Sequence, residues 1–195
     1  MSELKVCVLG LGYIGLPAAV IVAKAGYRVL GVDINDEVVR QVNSGEAHFQ
    51  EPDLNAALAH VVGCNQLVVQ LEAQQSDIFI ICVPTPVSQN DHGVEADMTY
   101  VNAAADQIAP VLKDGDIVIL ESTSPVGATD DVQRRLNSML PENVSVTVAY
   151  CPERVLPGRI MIEMVRNSRV VGCNNPKVRK KIAEFYRSFV EGEVV

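Results

Sequence analysis

The 195-residue sequence predicts a doubly wound α/β domain, with a mostly parallel sheet, helices on both faces and a small C-terminal α/β extension. Three observations predict it. Short Val-, Ile- and Leu-rich runs alternate with helix-length segments, which is the pattern of successive β-α-β units. The first run leads into three glycines at G-x-G-x-x-G spacing, Gly10, Gly12 and Gly15. The second ends in an acid, Asp33, at the roughly 20-residue distance that the dinucleotide-binding fingerprint requires.

The elements follow in order. Residues 4–9 form an apolar run too short for a helix, hence a buried strand. Residues 16–25 are apolar and Ala-rich, a helix packed on the sheet, and Gly26 stands where its C-terminal cap belongs. Residues 27–32 give a second strand. A helix over 36–43 stops at Ser44-Gly45, and Glu51-Pro52-Asp53 opens another through residue 62, with Asp53 as N-cap. Residues 66–70 and 77–83 read as strands, the latter halted by Pro84-Thr85-Pro86. Residues 88–95 are polar and contain glycine, hence a loop. A helix over 98–112, a strand over 116–120, a helix opened by Pro125-Val126-Gly127 through residue 140, and an alternating segment over 144–150 complete six strands within about residues 1–150. The extension, about 151–195, holds a short helix over 160–165, a strand over 168–172 and a basic amphipathic helix over 176–190. It ends at Glu193-Val194-Val195 on what reads as the start of another strand.

Each glycine has its own role. Gly10 permits the tight turn out of the strand, Gly12 lets a pyrophosphate approach the backbone, and Gly15 lets the helix pack close. Tyr13 and Ile14 complete the loop against the cofactor, and the helix start offers N–H groups and partial positive charge to phosphates. Asp33 can accept hydrogen bonds from ribose hydroxyls and repels a 2′-phosphate, so NAD is favoured over NADP. A net charge of -8 without a basic cluster argues against nucleic acid and against an anionic membrane surface. Five cysteines at 7, 64, 82, 151 and 173, with no C-x-x-C pair, suit reduced thiols in a cytoplasmic protein. No secretory signal and no membrane-length run is visible, and no residue is assigned to a metal. Ligands of such sheets bind beyond the carboxyl ends of the strands, which gathers the glycine loop and residues 83–86, 121–125 and 151–158 around one crevice.

These segments carry a resemblance. Gly10 to Gly15, Asp33, Cys82-Val83-Pro84-Thr85-Pro86, Glu121-Ser122-Thr123-Ser124-Pro125-Val126-Gly127 and Tyr150-Cys151-Pro152-Glu153-Arg154-Val155-Leu156-Pro157-Gly158 resemble the UDP-glucose/GDP-mannose dehydrogenase family over essentially the whole chain. The wording of the last motif, with Asn167 to Gly172, is most similar to the UDP-N-acetylmannosamine 6-dehydrogenase branch. UDP-glucose and UDP-N-acetylglucosamine 6-dehydrogenases are the alternatives within the family, and a standalone NAD-binding regulatory module is the alternative outside it. The resemblance implies a Rossmann-like fold. It also implies oxidation of the C6 alcohol of a UDP-sugar to the carboxylate with reduction of two NAD, as in polysaccharide biosynthesis. It makes Glu153 an acid/base residue assisting thioester hydrolysis. Thr123 would hold the nicotinamide side or a catalytic water. Val83, Pro84, Thr85, Glu121 and Ser122 would join the glycine loop and Asp33 around the cofactor, and Arg154, Val155, Leu156 and Pro157 would line the sugar beside Glu153. Arg154 replaces an aromatic residue of the UDP-glucose enzymes, which leaves the sugar open. In the family the nucleophilic cysteine lies in a glycine-rich segment of a second domain, with no counterpart here, and the long dimerising helix would begin just past Val195. The chain is therefore expected to be the cofactor-binding half of a larger, dimeric or higher enzyme and not to complete the oxidation alone.

Overall fold

The computed structural model describes residues 4–90 and 93–195. In chain order the first part holds β1 (Lys5–Leu9), α1 (Gly15–Lys24), β2 (Arg28–Val32), α2 (Asp36–Asn43), α3 (Leu54–Gly63), β3 (Leu67–Gln70) and β4 (Ile78–Ile81). The second holds β5 (Val87–Asn90), β6 (Gly93–Ala96), α4 (Thr99–Ile108) with a 3-10 turn (Ala109–Val111), β7 (Ile117–Leu120), α5 (Ala128–Met139) and β8 (Thr147–Tyr150). The extension contributes α6 (Ile160–Arg166) and α7 (Pro176–Arg187). Six strands form one parallel sheet in the order β3-β2-β1-β4-β7-β8. The order reverses direction between β1 and β4, the switch point at which open α/β sheets bind ligands.

The strands are apolar on both faces because both faces are covered. Val6, Val8, Ile78, Ile80, Ile117 and Ile119 pack with α1 and α3, while Cys7, Leu9, Phe79, Ile81, Val118 and Leu120 pack with α4 and α5. Helix α7 adds Ile182, Ala183, Phe185 and Tyr186 to the α1 side, and α6 lays Ile160 and Met164 on Ala18 and Ile21 of α1. At the end of α1, the Gly26 N–H donates to the Ala23 carbonyl and the Tyr27 N–H to the Val22 carbonyl. Gly26 has φ +95°, so it closes α1 in the left-handed form expected of it.

The structure differs from the sequence expectation in three places. Residues 88–95, expected as a loop, belong to an antiparallel hairpin of β5 and β6, with Val87 opposite Ala96 and Ser88 opposite Glu95. Asp91 and His92 lie outside the described residues. The hairpin is held by cross-strand pairing, and its polar composition hides the two-residue period. Asp53 does occupy the N-cap position of α3, but its φ is 64° and its side chain caps nothing. The expected strand over 168–172 is reduced to two isolated bridges, Gly172 antiparallel to Tyr150 and Arg169 parallel to Val194.

Candidate functional site

A cleft of about 1290 Å³ opens at the carboxyl ends of β1, β2, β4 and β7. Its floor is the turn from β1 into α1. Gly10 has φ +82°, and a Cβ there would stand 2.9 Å from the Cys82 carbonyl oxygen, so both conformation and space require glycine. A Cβ on Gly15 would come within 1.7 Å of the Gly10 carbonyl oxygen. Gly12 differs, since a Cβ there would meet nothing within 4 Å. The packing of the protein does not require glycine at 12, and the open space lies on the ligand side of the turn. No side chain caps the start of α1; the Leu16 N–H donates to the Gly12 carbonyl at 3.1 Å and Pro17 has no N–H, so the N–H that α1 itself offers an anion is that of Gly15.

Asp33 closes this end of the cleft. Its Oδ2 accepts the Leu11 N–H and its Oδ1 the Asn35 N–H, each at 2.9 Å. The carboxylate is thus fixed on the glycine turn, and each oxygen keeps a lone pair for a further donor such as a ribose hydroxyl. The β4 and β7 loops are tied together across the cleft. The Thr85 hydroxyl donates to the Thr123 carbonyl at 2.6 Å, and the Ser122 hydroxyl to the Val83 carbonyl at 2.6 Å.

The far end of the cleft holds a buried ionic cluster. Glu121 follows β7 and Glu153 follows β8, and the Arg169 guanidinium sits between them. The three side chains are between 2% and 4% exposed, so water screens their charges little. Glu121 Oε1 accepts the Tyr186 O–H at 2.6 Å, its Oε2 faces the Cys82 thiol at 3.4 Å, and Arg169 Nη1 lies 3.7 Å away. Glu153 is in ion-pair contact with Arg169 through Oε2, without an aligned hydrogen bond, and accepts the Arg154 backbone N–H at 2.8 Å through Oε1. Burial pushes the Glu153 carboxyl up to about 7. Arg169 opposes that rise, and the negative charge of Glu121 adds to it. Burial also raises the Cys82 thiol, and raises those of Cys7 and Cys151 to about 12, so none of these is a thiolate near neutral pH.

The loop carrying Glu153 is pinned by carboxylates. Glu163 accepts the Leu156 N–H at 2.9 Å, and buried Glu51 accepts the Gly158 and Ile160 N–H groups at 2.8 and 2.7 Å. Replacing Glu51 by Ala strands two donors and is expected to destabilise the fold by about 2 kcal/mol, with a smaller loss for Glu51→Gln, read as thermal denaturation of the purified chain.

Of the residues singled out from sequence, Gly10, Gly12, Tyr13, Ile14, Asp33, Val83, Pro84, Thr85, Glu121, Ser122, Thr123, Glu153, Arg154, Val155 and Leu156 line the one cleft. Gly15 lies behind it as packing, and Pro157 stands outside its lining. Arg154 does not pair with Glu153 through its side chain, which donates instead to the Ser168 carbonyl at 3.1 Å. Sequence reasoning missed Arg169 and Tyr186, and also Tyr100, Ala103 and Gln107 of α4 on the cleft wall. A charged residue at 169, beside the apolar pair Val170-Val171, was the available signal for the first.

Room over Gly12 and none at Gly15, with a carboxylate fixed beside them, is the arrangement of a dinucleotide-binding domain, and these residues fit that group. The profile of the UDP-glucose/GDP-mannose dehydrogenase family, NAD binding domain, matches residues 4–190, so the chain belongs to that family and its cofactor is NAD. It is 46% identical over its whole length to a UDP-N-acetyl-D-mannosamine dehydrogenase of Escherichia coli, of which it covers 48%, and 44% identical over 97% of its length to one of Methanococcus maripaludis, of which it covers 43%. The solved structure of the Pyrococcus horikoshii UDP-D-ManNAc dehydrogenase superposes with a TM-score of 0.91 at 42% identity, over 97% of this chain and 46% of that one. The chain spans about half the length of the curated relatives it matches.

Proposed function

We propose that this chain is the NAD-binding half of a nucleotide-sugar 6-dehydrogenase that converts the C6 alcohol of UDP-N-acetylmannosamine to the carboxylate. The observation that carries the reading is the position of Glu153. A carboxyl pushed up to about 7 by burial lines the same cleft as the glycine turn, so a proton carrier stands beside the cofactor site. Similarity to UDP-N-acetyl-D-mannosamine dehydrogenases over the whole chain supports the choice of sugar.

In this reading the Gly10–Gly15 turn and the start of α1 hold the pyrophosphate, and Asp33 holds the adenosine ribose. Bound NAD supplies the hydride acceptor for both oxidation stages. Thr85 fixes the loop bearing Thr123 through its hydroxyl, so that Glu121, Ser122 and Thr123 present a rigid edge to the nicotinamide side. Glu153 holds or accepts the proton exchanged during hydrolysis of the second-stage intermediate. Arg154, Val155 and Leu156 face the sugar, and Pro157 stiffens their loop. Five cysteines without a disulfide support a cytoplasmic location, and the reading takes the whole enzyme to be a dimer or larger assembly.

The test is turnover by the full-length protein on a panel of UDP-sugars, followed as NADH absorbance. Two NADH per UDP-N-acetylmannosamine are expected, with slower reaction on UDP-glucose and UDP-N-acetylglucosamine. Absence of NADH with every UDP-sugar would overturn the reading. On the 195-residue chain alone, NAD is expected to raise the melting temperature more than NADP does, because Asp33 meets a 2′-phosphate with like charge. A larger shift with NADP would remove Asp33 from the ribose site.

A further inference from the structure

We propose that Phe49 is a positioning residue of the cofactor site, bracing the Tyr13 ring at the glycine turn so that NAD meets it already in place. The proposal rests on the reading of that turn as the cofactor cradle. It concerns a residue of the α2–α3 connection, outside the motif that builds the turn.

Tyr13 follows Gly12, over which the space is open, and it lines the cleft. The residue is 58% exposed. A side chain that exposed loses rotamer freedom when a ligand orders it, and the loss weakens binding unless the protein has ordered it beforehand. Among the described residues its one ring contact is with Phe49, the centroids 4.4 Å apart and the planes inclined at 36°. Aromatic pairs at this distance attract beyond the area they bury, so the contact selects one placement of the tyrosine ring.

Phe49 can act as a brace because it is itself fixed. It is half-buried and packs on the core shared by α1 and α3. The His48 ring meets it edge-on, 4.9 Å away with the planes at 87°. The chain is anchored on both sides of it. Before it, the Ala47 N–H donates to Asn55 Oδ1 at 2.8 Å, and the Ala47 carbonyl accepts Gln41 Nε2 at 3.1 Å. After it, the Glu51 carboxylate accepts the Gly158 and Ile160 N–H groups, and the Glu51 carbonyl accepts the Leu54 N–H at 3.3 Å. Helices α2 and α3 and the sugar-facing loop therefore all hold the segment that carries Phe49. The exposed ring on the turn rests against a ring that cannot easily move away.

The test is calorimetric titration of NAD into the 195-residue chain and its variants. Tyr13→Ala removes the braced ring. Phe49→Leu keeps apolar bulk but removes the flat face, and Phe49→Tyr keeps the face. Tyr13→Ala and Phe49→Leu are each expected to weaken NAD by about 3–10-fold, and the double variant no further than Tyr13→Ala alone. Phe49→Tyr is expected to stay within about twofold of the wild type. Losses that multiply in the double variant would overturn the proposal, because Phe49 would then act other than through Tyr13. So would a folded Phe49→Leu chain with wild-type affinity, or a Phe49→Tyr chain as weak as Phe49→Leu. A second measurement needs no Phe49 variant. Nuclear Overhauser contacts between the two rings are expected in the NAD-free chain, and rings that meet only once NAD is added would overturn the proposal. A wild-type chain without affinity for NAD would overturn the cofactor reading itself, whereas NAD binding that Tyr13→Ala leaves unchanged would overturn this proposal alone.

Discussion

Gly15→Ala is expected to leave little folded protein, whereas Gly12→Ala is expected to fold as the wild type does and to bind NAD poorly. The two residues belong to one motif and look equivalent in the sequence, but their surroundings are opposite. A Cβ on Gly15 meets the Gly10 carbonyl oxygen at 1.7 Å, the Gly10 carbonyl carbon at 2.9 Å and the Cys82 Cβ at 3.0 Å. The first two are main-chain atoms of the turn itself and cannot swing aside as a flexible side chain would. Relieving the clash means moving α1 off the sheet, and α1 is buried from Gly15 to Ala23. Overpacking of this kind costs about 3 kcal/mol or more, a large fraction of the stability of a single domain. Gly12 has neither a positive φ nor a neighbour in reach, so an alanine there should change stability by less than about 0.5 kcal/mol. The methyl group would then fill space that the cofactor pyrophosphate needs, weakening NAD by about 10–100-fold. Thermal denaturation and NAD titration of the two variants read both effects. A Gly12→Ala protein that binds NAD like the wild type would show that the open space over the turn is not where the cofactor lies.

The same contrast explains how much was legible beforehand. The six buried strands, the helices between them and the crevice at the strand ends follow from local patterns: apolar runs, glycine spacing, and proline beside polar residues at the strand exits. Gly10, Gly12, Asp33, Glu121 and Glu153 were legible because strand order alone brings their segments to one edge of the sheet. The ionic cluster was not. Glu121, Glu153, Arg169 and Tyr186 come from four segments, and they meet only because the extension returns across the end of β8 and lays α7 against α1. No periodicity encodes that return. The Asp53 cap failed for a local reason, since the chain turns through a left-handed conformation there and carries the side chain away from the helix. Glu51, read only as part of a helix-opening motif, holds a loop more than 100 residues further along the chain.

Glu153→Gln is expected to make the chain more stable at pH 8, less stable at pH 4, and the full-length enzyme unable to oxidise sugar at a useful rate. The Glu153 carboxyl is raised from an ordinary 4.5 to about 7, so the folded state holds its proton more tightly than the unfolded state does. That preference contributes about 3 kcal/mol, fully present below pH 4.5 and lost as the pH rises through 7. Glutamine is neutral at every pH and escapes the loss. It also has one acceptor oxygen where the acid has two, and it must serve both the Arg154 N–H and the Arg169 guanidinium, which offsets about 1 kcal/mol. The balance is a gain of about 2 kcal/mol at pH 8 and a deficit of about 1 kcal/mol at pH 4, with the sign changing between them. Denaturant unfolding of wild type and variant across that range measures it. On the proposed function, in which Glu153 is the acid/base group of a full-length dehydrogenase, its removal should slow oxidation by about 10²–10⁴-fold while NAD affinity stays near wild type. A stability difference that ignores pH would mean that Glu153 is ionised throughout, and the proton carrier would have to be sought elsewhere in the cleft. Greater stability joined to lost turnover would mean that an ionisable side chain is retained in the buried wall of the cleft for its chemistry, against the stability of the fold.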